Sequence, residues 1–201
     1  MKKSRRNLIA VIAAILIWVA YWFGIQSLYF PIFSNVLNLH VSLDFLFAIY
    51  SLCITIAALI ITVIWCVNVK DFSFLKLKKK RILYLYILPV VLTILLLRFG
   101  DGVGINSFLY AISMWSTTAL AQDLVTFRFL QTFLEKRVNR KLVAIITGTV
   151  FFSGHLILGL GINTIFYAIG SILFSYLRYK TKNIYLLDVI HISFLLITPL
   201  L

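Results

Sequence analysis

Long apolar runs alternate with clusters of basic residues along this chain, and nothing else in the sequence constrains its fold as tightly. A helix rises about 1.5 Å per residue, so crossing a bilayer core takes about 20 apolar residues. Runs of this kind, some a little shorter, extend from Leu8 to about Phe30 and from Leu43 to Val67. Others run from Ile82 to about Leu97, from about Ser107 to Phe133, and from Leu142 to about Leu158. The last two are Thr164 to about Leu177, and Ile184 onward. Of the 19 Lys and Arg residues, seventeen fall in four segments: 2–6, 70–81, 136–141 and 178–182. With seven spans these segments all lie on one side, which the excess of Lys and Arg marks as cytoplasmic. Of the other two, Arg98 falls at the opposite edge and Arg128 within a span. The expected fold is all-α, a polytopic bundle of about seven transmembrane helices. Its N-terminus is cytoplasmic, its last residue outside, and its location the cell membrane.

Composition agrees. Hydrophobic residues make up 62% of the 201 and charged ones 12%, with mean hydropathy +1.04. A soluble domain carries about twice that charged share. No hydrophilic stretch is long enough to fold separately, so residues 1–201 are expected to form one membrane domain. The net charge of +13 is explained by the basic loops, so no nucleic-acid partner is expected. The lipid bilayer is the expected partner. Cys53 and Cys66 are thirteen residues apart in one apolar run, too far for a disulfide. The basic start followed by an apolar run resembles a signal peptide. The run is too long for one, and it carries Trp18, Tyr21, Trp22 and Phe23 where small residues would be needed, so a retained first helix is expected. The segment from Gly100 to Gly104 lacks a following Lys-Ser/Thr and a preceding strand, so it reads as a turn. Gly159 to Asn163 reads as another, and Pro89 is a possible kink in the third helix.

The polar residues are unevenly placed. An ionisable side chain inside a bilayer costs about 2.5–3.5 kcal/mol on insertion scales, so those that persist usually face the interior and work there. They are Asp123, Arg128, His155, Asp188 and His191. Residues 1–98 therefore read as apolar scaffold and 107–196 as the working half. Counting from the cytoplasmic edge, Asp123 lies roughly 15 Å deep, His155 roughly 20 Å and His191 roughly 11 Å. Three helices thus bring potential acid–base groups to similar depth. Asp123 and Arg128 could also pair as a structural ion pair. Asp188 lies three residues before His191, where it could orient the ring or sit near the interface.

These residues resemble one family. Asp123-Leu-Val-Thr-Phe-Arg128 is similar to the first motif, Glu-Glu-x-x-x-Arg, of the CAAX-protease and bacteriocin-processing (CPBP, or abortive-infection) family. Phe151 to His155 fits its second motif, Phe-x-x-x-His. His191 fits the first position of its third motif, a His followed four residues on by Asn or Asp. The order of the motifs and their placement on successive helices match too. The resemblance covers about Ser107 to Leu196.

It implies an intramembrane endopeptidase acting on a peptide or membrane-protein substrate. Asp123 would be the general base, and His155 would share its water. His191 would stabilise the oxyanion. Arg128 and Phe151 would support the site, with Arg128 holding the motif helix. The family has been assigned both metal-dependent and metal-independent mechanisms; no metal or other cofactor is expected here. This chain departs from the motifs in three places. Asp123 is one methylene shorter than Glu, Leu124 replaces the second carboxylate, and Leu195 replaces the Asn or Asp. The alternative these departures raise is a catalytically degenerate member, acting as a bacteriocin-immunity or membrane scaffold protein.

Overall fold

The computed structural model describes residues 7–23, 43–70, 72, 80–99, 105–156 and 162–197. Among them every regular element is helical. Helix α1 is Asn7–Phe23 and α2 is Leu43–Val69. Helix α3 begins as a 3-10 segment, Lys80–Tyr86, and continues as Ile87–Phe99. Helix α4 comprises Ile105–Ser116, a π-helical stretch Thr117–Leu130, and Gln131–Glu135. Then come α5, Arg140–His155, α6, Ile162–Thr181, and α7, Ile184–Ile197. The basic N-terminal segment, the polar stretch with Asn35, Asn38 and His40, most of the basic run 76–81, and the turn at Gly100–Gly104 lie outside the described residues. So do 157–161 of the second glycine turn and the last four residues.

Among the described residues, two helices are long and apolar enough to cross a membrane, Ser51–Val69 and Arg81–Phe99. Only 28% and 17% of the residues in their most apolar stretches are buried. The core helix of a soluble protein would bury most of such a surface. Here Leu52, Ile56, Ile60 and Val63 of one helix and Leu88 and Ile94 of the other face outward, and exposed apolar helix faces of this kind suit lipid.

The chain divides into two compact units, each of which is described by itself. The first holds residues 32–125 and 183–201. Its α2 buries Ala48, Ser51, Thr55, Ala58, Thr62 and Cys66, a stripe of small residues at three- and four-residue spacing that lets α2 approach α4 closely. Thr55 and Thr62 return their hydroxyls to the carbonyls of Ser51 and Ala58, so neither leaves a donor unmet. Leu92 and Leu96 of α3, Ala111 and Met114 of α4, and Ile192 and Leu196 of α7 form its apolar core. Asn183 begins α7 by accepting the amides of Tyr185 at 3.0 Å and Leu186 at 3.2 Å, a side-chain N-cap. Pro89 sits in the first turn after the 3-10 segment. The change of helix type falls just ahead of the proline.

The second unit holds residues 1–31 and 126–182. Its α5 and α6 cross where Gly148 faces Ile172. A Cβ at Gly148 would lie 2.7 Å from the Ile172 backbone, so only glycine permits this approach. Trp18 and Trp22 of α1 stack at 5.4 Å, and the indole of Trp18 donates to Thr126 Oγ1 at 2.9 Å. Gln131 donates across to the Ser175 carbonyl at 2.9 Å. Lys182, which follows α6 in the left-handed conformation (φ 51), pairs with Glu135 at 2.7 Å.

Candidate active site

The π-helical stretch carries the first motif, and side-chain hydroxyl bonds to the backbone gather where it begins. Ser113 bonds to the Leu109 carbonyl, and both Ser116 and Thr117 bond to the Ser113 carbonyl. Thr117 sits four residues on from Ser113, so its hydroxyl competes for the acceptor an α-helical amide would use. The wider winding begins at this residue. Such stretches are rare and occur often at functional sites.

Within the first unit, Asp123 and His191 meet. His191 Nδ1 lies 2.8 Å from Asp123 Oδ1, across 68 residues of sequence. Asp123 is 0% exposed and His191 4%. Nδ1 is the ring atom turned to the carboxylate, so Nε2 is the atom that can face a reacting group. Asp188, one turn before His191 on α7, accepts a 2.5 Å hydrogen bond from the Tyr86 hydroxyl at Oδ2. Tyr86 stacks on Trp115, with centroids 6.3 Å apart, and Trp115 donates to Thr93 Oγ1 at 3.0 Å. An aromatic wall thus holds the phenol in place. Leu195, at the third motif's second position, packs against the apolar core. Its carbonyl accepts from Tyr110 at 3.2 Å. Its side chain serves packing and carries no polar donor.

Within the second unit, the two motif phenylalanines meet. Phe127 and Phe151 pack edge to face at 4.9 Å, and both are almost fully buried. The four-residue spacing of the second motif puts His155 on the same helix face as Phe151. The rings are 4.7 Å apart, and His155 Nδ1 lies 3.1 Å from the Phe151 carbonyl. Donation from Nδ1 to that carbonyl puts the basic lone pair on Nε2. Tyr167 of α6 stacks on the other side of the imidazole at 5.2 Å. Arg128, 7% exposed, donates to Thr132 Oγ1 at 3.1 Å, one turn along. Arg178 reaches the same hydroxyl at 3.5 Å. Glu135 interacts with Arg178 and offsets part of this positive charge.

Of the five site residues that the resemblance implies, Asp123 and His191 are in contact in the first unit. Phe151 and His155 are in contact in the second, and Arg128 braces its own helix there. Asp123 finds its partner on another helix. Tyr86 gave no sequence signal: a tyrosine a few residues inside an apolar run reads as an interfacial anchor. Asp188 had one, its three-residue spacing from His191, but an interfacial role suited it equally.

The class defined by fold and site is an all-helical, lipid-suited protein with a buried carboxylate–imidazole pair assembled from distant motifs. Residues 104–197, a little under half of the chain, match the family model described as type II CAAX prenyl endopeptidase Rce1-like. This is the family that the three motifs resemble. No curated protein and no solved structure gives a match.

Proposed function

We propose that the chain is a multi-pass protein of the cell membrane and an intramembrane endopeptidase of the CPBP type. Its substrate is a peptide or a membrane-associated protein. The observation that carries this reading is the 2.8 Å contact between Asp123 and His191. Two motif residues far apart in sequence meet in a buried place, as a shared reaction site requires. Asp123 is the general base. Its Oδ1 is held by His191, and its Oδ2 receives no hydrogen bond from a donor among the described residues. Oδ2 takes a proton from a water as the water oxygen bonds to the peptide carbonyl carbon. With both ring nitrogens protonated, His191 keeps Nδ1–H on Asp123 and donates Nε2–H to the resulting oxyanion, and the proton that Asp123 took passes to the departing amine as the C–N bond breaks. His155, with Nδ1 at its own helix carbonyl, keeps Nε2 as its basic atom for the role in water activation that the second motif implies. Arg128 and Phe151 hold their helices in place. Residues 1–98 supply scaffold, and 107–196 the working groups.

The test is cleavage of membrane-anchored peptide reporters by the protein reconstituted in nanodiscs. Asp123→Ala and His155→Ala should each abolish turnover. His191→Ala should lower it by about 10²–10³-fold, the usual cost of an oxyanion donor. Full activity in both alanine variants at Asp123 and His155 would sink the endopeptidase reading and favour an immunity or scaffold role.

A further inference from the structure

The first motif in this chain has one carboxylate where the resembled family has two, with Leu124 in the second place. Leu124 is buried and apolar. The structure nevertheless holds two carboxyls at this point. Asp188 is 8% exposed and lies three residues before His191, so both side chains leave the same face of α7. The Asp188 carboxyl interacts with both His191 and the Asp123 carboxyl that His191 holds.

The outer oxygens are accounted for. Asp188 Oδ2 accepts from Tyr86 at 2.5 Å, and Asp123 Oδ1 lies 2.8 Å from His191 Nδ1. The other two, Asp123 Oδ2 and Asp188 Oδ1, are buried and receive no hydrogen bond from a donor among the described residues. Two ionised carboxylates adjoining in a dry site repel strongly, and neither would supply the proton the other lacks. One proton between them converts the repulsion into a hydrogen bond.

We propose that Asp188 is the second carboxylate of this site, sharing a single proton with Asp123 and so replacing from α7 the group that α4 lacks at Leu124. The inference rests on the endopeptidase reading for its purpose, though not for its geometry. Asp188 is a positioning residue: it fixes the protonation and direction of Asp123 Oδ2. The titratable groups facing the pair are His191 on the Asp123 side, and Tyr86 and Tyr185 on the Asp188 side. Tyr86 holds Asp188 at Oδ2 and His191 holds Asp123 at Oδ1. The shared proton sits between the two remaining oxygens, and it moves to Asp188 Oδ1 when Asp123 Oδ2 acts as the base.

Infrared difference spectroscopy on the reconstituted chain tests this without any substrate. The chain has only 6 Asp and Glu side chains, so the carbonyl stretch of one buried protonated carboxyl is assignable. At neutral pH the unmodified protein should show that band, shifted in deuterium oxide. Asp188→Asn and Asp123→Asn should each remove it, because each leaves a single carboxylate with an amide donor beside it. No band in the unmodified protein overturns the proposal, whatever the variants do. So does a band that persists in Asp188→Asn. In reporter cleavage, Asp188→Asn should shift the pH profile rather than only scale it. An unshifted profile at full rate would defeat the positioning role while leaving the endopeptidase reading intact. Loss of all cleavage assays with the band present would do the reverse.

Discussion

Asp123 is the proposed general base, and its length matters. The family motif has Glu there. In this chain the shorter Asp already reaches His191 at 2.8 Å and is fully buried. Restoring the methylene would push the carboxylate past its partner or force the helix aside. Asp123→Glu is therefore expected to lower reporter cleavage by about 10²-fold, the usual cost of a ~1 Å misplacement. A gain in rate would show that the carboxylate is held short of its working position. Leu195 shows the opposite situation. The motif position was easy to find in the sequence, but its role was not. A leucine four residues after His191 shares its helix face, and only its packing against the apolar core shows what that face is used for.

At the scale of elements, the helices were legible because their cause is local. The apolar runs located α2, α3 and α7 to within a few residues, and Asn183 is a recognisable cap. The π-helical winding of α4 was not read, though Ser113, Ser116 and Thr117 carried a signal for it. Three hydroxyls within five residues offer the backbone competing bonds, but whether they widen a helix depends on what packs around it. Close packing was equally hidden. Gly148 and Gly170 look alike in sequence. A Cβ on the first would strike the Ile172 backbone at 2.7 Å, while one on the second would meet nothing within 4 Å. Gly148→Ala is expected to destabilise the α5–α6 pair by about 1–3 kcal/mol. Gly170→Ala should be neutral or slightly stabilising, since glycine is the weaker helix former. The check is the apparent melting temperature of both variants in detergent. Equal values would mean that the two helices part easily.

At the scale of the molecule, the distribution of charge predicts how the chain inserts. Lys182 pairs with Glu135, so the ends of α4 and α6 adjoin within their unit, as two loops on one side of a membrane should. With Cys53 and Cys66 replaced, single cysteines at Lys136 and Lys180 should be labelled only from the cytoplasmic face of sealed vesicles. A cysteine at Arg98 should be labelled only from the opposite face. Labelling of Lys136 and Arg98 from one face would break the seven-span arrangement. The sequence by itself determined the helical class, the helix limits and the motifs, because apolar length and the spacing of charges act locally along the chain. Only the tertiary structure decided what Asp123 touches. His191, Asp188 and Tyr86 reach it or its neighbour from α7 and α3, through helix rotations set by packing. No local run of residues encodes such a rotation.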